Sequence, residues 1–125
     1  MLEALDHVQL AAPAGSEGAL RRFYAGTLGM TETPKPPALA ARGGCWFEAG
    51  RVRLHLGIDT DFRPARKAHP GLRVTGIEAY AARLEAHGVR ITWDGDLPGH
   101  RRFYADDPVG NRLEFLEPVT PQGTP

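Results

Sequence analysis

With Cys45 as its only cysteine, the chain can form no intramolecular disulfide and no cysteine-built zinc site. Long apolar runs are also missing. None approaches the roughly 18 residues of a membrane span, and the N-terminus lacks the charged-then-apolar pattern of a secretory signal. Net charge is absent too: Lys+Arg and Asp+Glu both number 15. That balance argues against a nucleic-acid surface or a binder of anionic membranes, leaving room only for a local basic patch. What remains is an ordinary globular composition, 42% hydrophobic and 24% charged over 125 residues. It predicts one cytoplasmic domain with a core of its own.

Along the chain, Leu5–Ala11 reads as a strand with Leu5, Val8 and Leu10 apolar. Ser16 is an expected N-cap with Glu17 in the first turn. Leu20, Phe23, Tyr24 and Leu28 follow at helical spacing, and Gly29 is a stop. The stretch "PKPPALAARGG" reads as loop, and "CWFEAGRVRLHLGI" as a hairpin turning at Ala49-Gly50. Residues 59–68 are polar and read as a connector. The order then recurs. "HPGLRV" is a strand, Thr75 and Glu78 are spaced as a capping box, and Ile77, Tyr80, Ala81 and Leu84 line a helix ending at Gly88. "VRITW" is a strand, and "RRFYA" and "NRLEFLE" form a hairpin across a type I turn at Asp107-Pro108-Val109-Gly110. Residues 119–125 read as a frayed tail. The expected organisation is a first module over 1–58, a linker over 59–68 and a second module over 69–118, together one compact α+β domain.

Polar residues recur at matching stations of this repeat. His7 opens the first strand of one half and His69 that of the other, an offset of 69 − 7 = 62. His55 and Glu114 lie in the two last strands, 114 − 55 = 59 apart. Glu114 sits among Leu113, Phe115 and Leu116, where an unpaired carboxylate costs several kcal/mol. A divalent ion held by His7, His69, Glu114 and His55 would compensate it, a donor set suited to Zn, Ni, Co, Fe or Mn. Each residue also has a plainer explanation. A lone histidine is more often hydrogen-bonded or solvent-facing, and Glu114 could pair with Arg112. His87 and His100 are read as surface residues.

"DHVQLAAP", "FYAGTLGM", "HPGLRV" and "DDPVGNRLEFLEP" resemble the vicinal oxygen chelate superfamily over residues 4–118. That superfamily includes glyoxalase I, fosfomycin-resistance thiol transferases, extradiol dioxygenases and bleomycin-resistance proteins. The resemblance implies two tandem βαβββ modules forming an incomplete mixed β-barrel around a central cleft that holds a divalent metal, commonly in a homodimer. It matches His7 and His69 to the first-strand ligands of the two modules and Glu114 to the last-strand carboxylate. His55 stands where glyoxalase I carries Glu, so only Glu114 remains as a carboxylate.

The function expected from these readings is a glyoxalase-like, metal-dependent lyase or isomerase. Its small substrate would be chelated through adjacent oxygens, with Glu114 as ligand and base. A bleomycin-resistance-like protein that sequesters a ligand without chemistry is the alternative from another class, and a fosfomycin-type transferase or a dioxygenase are further enzymes. Arg66 and Lys67, just before His69, and Arg102, near the last hairpin, are candidate anion-binding residues or plain solvated charges. Trp46 is expected in the cleft wall, and Cys45 is read as a small core residue.

Overall fold

The computed structural model describes residues 1–119; beyond Val119 the expected tail lies outside them. Strand β1 (Val8–Ala12) leads to helix α1 (Glu17–Leu20), which continues as a π-helical turn over Arg21–Thr27. Then come β2 (Thr31–Thr33), a short helix α2 (Pro37–Ala40), β3 (Cys45–Ala49) and β4 (Val52–Ile58). The second half supplies β5 (Gly71–Arg73), α3 (Ile77–Ala86), β6 (Thr92–Asp94), β7 (His100–Asp106) and β8 (Arg112–Pro118). The strands form two four-stranded sheets, ordered β1-β4-β3-β2 and β5-β8-β7-β6. In each, the first strand runs parallel to the last and the others are antiparallel. This is the expected α+β duplication, with open sheets and no closed barrel. Among the described residues no helix is long and apolar enough to cross a membrane.

Strand alternation explains which face each sheet buries. Leu54 and Leu56 of β4 point inward with Phe47 of β3, while Phe103 of β7 stacks on Phe115 of β8 at 5.0 Å. Both modules feed one continuous core, which Leu20, Tyr24, Ile77 and Leu84 complete from the helices. Burying each large side chain removes it from water at a gain of roughly 1.5–3 kcal/mol, so the shared core is the main glue between the halves.

Polar bonds add direction to it. Tyr24 Oη donates to Asp107 at 2.7 Å, and Asn111, fully buried, donates to the Ala11 carbonyl at 2.8 Å and accepts from Ala65 N–H at 2.9 Å. The Asp107–Gly110 turn closes as expected, Gly110 N–H donating to the Asp107 carbonyl. Asp107 and Asn111 of the "DDPVGN" motif are thus a buried clasp between the modules. Burial, with Asp107 beside it, pushes the Tyr24 hydroxyl well above its usual range.

Several local expectations are corrected. Leu5 is 80% exposed, because β1 begins only at Val8. Ser16 stands at the helix start, yet its hydroxyl donates to the Pro13 carbonyl and caps nothing. The capping box at Thr75 and Glu78 does not form. Gly76 is the N-cap, in the left-handed conformation, and the carboxylate of Glu117 on β8 accepts from Gly76 and Ile77 N–H. Glu78 pairs with Arg101 instead. The "PKPPALAARGG" stretch contains α2, with Pro37 entering its first turn, where a missing N–H costs nothing. Arg21–Thr27 widens to π geometry, Leu28 N–H reaching the Phe23 carbonyl. Consecutive residues Phe23 and Tyr24 are both buried there, at 6% and 0% exposure.

Candidate functional site

Register makes the duplication quantitative. In the first sheet His55 pairs with Gln9, two residues after His7; in the second, Glu114 pairs with Gly71, two residues after His69. The four candidate ligands therefore occupy equivalent stations.

The structure brings them together as two pairs. In the first module His7 stacks on His55 at 4.1 Å, and His55 stacks on Trp46 at 4.1 Å. His7 Nδ1–H donates to Asp6 at 2.9 Å, which leaves its Nε2 free. His55 lies between two rings, and among the described residues its side chain forms no hydrogen bond. Desolvation first, and then the neighbouring His7, hold its imidazole below the usual histidine range. Trp46 is thus a wall of this pocket, which Leu39 of α2 also lines.

In the second module His69 Nε2 lies 2.9 Å from Glu114 Oε1, and Arg102 donates to Glu114 Oε2 at 3.1 Å. Arg102 is itself fixed by Asp94, at 3.1 and 3.2 Å. Glu114, 8% exposed, is thereby compensated inside the chain by one imidazole and one guanidinium. Its partner is Arg102 and not Arg112, because Arg112 lies over the Tyr104 ring at 4.0 Å.

The expected four-ligand cluster does not assemble within one chain. The pairs lie on different sheets, and no group of three or more His, Cys, Asp or Glu side chains among the described residues is placed to hold a metal ion. The second pair nevertheless has the chemistry of a metal half-site. His69 Nδ1 is 2.8 Å from the Lys67 carbonyl, which can only accept, so Nδ1 carries the hydrogen. Nε2 then faces a carboxylate oxygen with both lone pairs directed at the contact. Something positive has to sit between them, either a proton or a metal ion. A ligating histidine usually shows this arrangement, its far nitrogen donating to a carbonyl. The donor set fits at this pair and is incomplete within the chain.

The remaining candidates fall into place around it. Arg66 and Lys67 are exposed, and Lys67 serves the site through its backbone carbonyl. Arg102, expected to meet substrate, spends its donors on Asp94 and Glu114. Cys45 is buried, and desolvation raises its thiol above the usual range. Sequence reasoning missed Asp94, Asp6 and Tyr104. Strand alternation applied to "RRFYA" would have placed Arg102 and Tyr104 on one face, but pairing Asp94 with Arg102 needed the β6–β7 register.

The model of a glyoxalase-like domain matches residues 9–116. A glyoxalase family protein from Bacillus anthracis is 44% identical over 95% of this chain and 98% of its own, with a TM-score of 0.93. The fosfomycin resistance protein FosX from Listeria monocytogenes is 14% identical over 99% and 100% of the two chains, TM-score 0.74. One variant of that protein was solved with Mn(II) and a dihydroxypropylphosphonic acid. TnmS3, an antibiotic binding protein from a Streptomyces species, is 23% identical over 94% and 100%, TM-score 0.72. No curated protein matches the chain.

Proposed function

Since the chain belongs to the glyoxalase-like domain family, we propose that it is a cytoplasmic, metal-dependent lyase or isomerase acting on a small substrate with adjacent oxygens. The observation that carries this reading is the His69–Glu114 contact, where an imidazole nitrogen and a carboxylate oxygen lie close enough to share one divalent ion. His69 Nε2 and Glu114 Oε1 would hold a divalent ion, with His7 and His55 as the further donors. A homodimer completes the set. A two-fold axis sets the His7–His55 face of each chain against the His69–Glu114 face of the other, giving two equal sites.

When bound, the ion supplies Lewis acidity to the substrate's neighbouring oxygens. The chain's own residues do the rest. The Lys67 carbonyl orients the His69 ring, and Arg102 holds Glu114 Oε2, leaving Oε1, which would meet the ion, with a second lone pair for a proton. Glu114 accepts a proton from carbon beside a carbonyl and returns it, the transfer such a carboxylate can perform when the hydrogen lies within reach. Trp46 and Leu39 provide the apolar wall that excludes water.

A second reading is sequestration of a ligand without chemistry, and one observation favours it. Arg102 and His69 both contact the Glu114 carboxylate and can compensate it by themselves. Elemental analysis of untagged protein offered Zn, Ni, Co, Fe and Mn in turn separates the two, together with a panel of hemithioacetals, catechols and epoxide antibiotics. The metal reading expects one ion per site and a sharp loss in Glu114→Gln. Uptake of none of the five ions, with no turnover of the panel, overturns it in favour of sequestration.

A further inference from the structure

The face of the second sheet that carries Glu114 holds a second charge, only partly buried, beside it. Alternation places Arg102 and Tyr104 of β7 on the same side as Arg112 and Glu114 of β8, with Tyr104 paired to Glu114. Arg102 is satisfied by two carboxylates. Arg112 has none: among the described residues no acidic side chain forms a hydrogen bond or salt bridge with it. It is half-buried and lies on the ring of Tyr104. That contact is worth roughly 0.5–1 kcal/mol at partly exposed sites, less than a partly desolvated guanidinium loses in leaving water. Asp94 on β6 commits its Oδ1 to Arg102 and to Asp96 N–H and meets Arg112 only through space, without a hydrogen bond.

Arg112 opens on a cavity of about 660 Å³ whose lining includes Phe23, Arg90, Thr92, Tyr104 and Asp106. Arg90 brings a second guanidinium, exposed and likewise without an acidic partner among the described residues. Thr92 offers a hydroxyl and Tyr104 a phenol; the single acid, Asp106, stands opposite Arg112 in the β7–β8 register but is exposed and makes no salt bridge with it. The Tyr104 ring also meets His69 edge-on at 5.6 Å, so this cavity adjoins the His69–Glu114 pair.

We propose that this cavity binds an anionic group, a phosphate, phosphonate or carboxylate, held by Arg112 against Tyr104 and by Arg90, which lines the same cavity. The planar fork of a guanidinium matches two oxygens of such a group, and two forks match a dianion. The ligand of this protein therefore carries its negative charge next to the atoms that meet His69 and Glu114. The inference rests on the proposed function only in taking this face for the ligand cleft, since anion binding itself needs no metal.

The test follows the arginine Nε–H signals of chelator-treated, full-length protein by NMR while inorganic phosphate or malonate is added at constant ionic strength, with chloride as control. Saturable movement of the Arg112 and Arg90 signals is expected, together with about tenfold weaker binding in Arg112→Met, equivalent to about 1.4 kcal/mol. Response to phosphate alone assigns a phosphate-type ligand, and response to malonate alone a carboxylate; either upholds the site. No saturable response to either anion, or wild-type affinity in both Arg112→Met and Arg90→Met, overturns it. If Arg112→Met does not fold, Arg90→Met decides, because its side chain is exposed. Loss of anion binding counts against this cavity alone, whereas failure to take up metal counts against the metal reading alone.

Discussion

Glu114 shows how a single buried acid can be legible in sequence while its partners are not. Its apolar neighbours flagged it, and the repeat tied it to His69. Arg102 stayed hidden because its approach depends on the β7–β8 register, in which it stands opposite Leu116. Asn111 offers the converse case. The motif around it was visible as a family mark, but its hydrogen bonds to Ala11 and Ala65 join residues far apart in the chain. Asn111→Ala should orphan both partners at about 1–3 kcal/mol each, and Asn111→Asp should be no better, since it turns an acceptor towards the Ala11 carbonyl. Urea unfolding curves measure both. His55 gives a residue-scale pH prediction. Its folded pKa is depressed, so near the usual value of 6.5 the unfolded chain binds more protons. Stability should fall as pH drops below about 6.5, and His55→Gln should flatten that limb of the unfolding midpoint against pH.

Elements whose ends depend on local signals were read well, and those finished by distant residues were not. The β3–β4 hairpin and the helix containing Ile77 and Leu84 follow from alternation and 3.6-residue spacing. The start of α3 does not, because its cap is Glu117, some forty positions downstream. Backbone donation from Ile77 first, and then Gly76, holds the Glu117 carboxyl below its usual range. This stabilisation is complete above the unfolded value near 4.5 and is lost as pH falls through the folded one. Glu117→Gln should therefore lower the melting temperature at neutral pH and lose less on acidification than the wild type. Gly44 governs the entry to β3. Its φ is +86°, and a Cβ there would sit 2.1 Å from the Leu56 carbonyl oxygen. Gly44→Ala should cost on the order of 3 kcal/mol, as strained backbone and a backbone clash combine; chemical denaturation is the readout.

At the scale of the molecule, the duplication was legible because each half repeats both its element order and its polar stations. The separation of the ligand pairs was not, since sequence says which residues are equivalent and not which sheets face each other. The homodimer proposed above predicts complementation. His7→Ala and Glu114→Gln, each defective alone, should on mixing and subunit exchange regain metal binding at one site per heterodimer, measured as ions bound per chain. Mixing that restores nothing, in variants that each remain dimeric, would place all ligands within one chain.

The clasp at Asn111 also bears on covalent continuity. Ala65 is pinned from both sides, its N–H by Asn111 Oδ1 and its carbonyl by Arg112 N–H, so the later part of the connector is fastened to the second module. The stretch from Asp59 to Asp61 ahead of it is exposed and carries none of the shared core. A protease nick there would sever the peptide without parting the fragments, which should elute together on gel filtration and separate only in denaturant. The same logic allows the halves to be made as two polypeptides that find each other, and marks this stretch as the place to open the chain for a circular permutant.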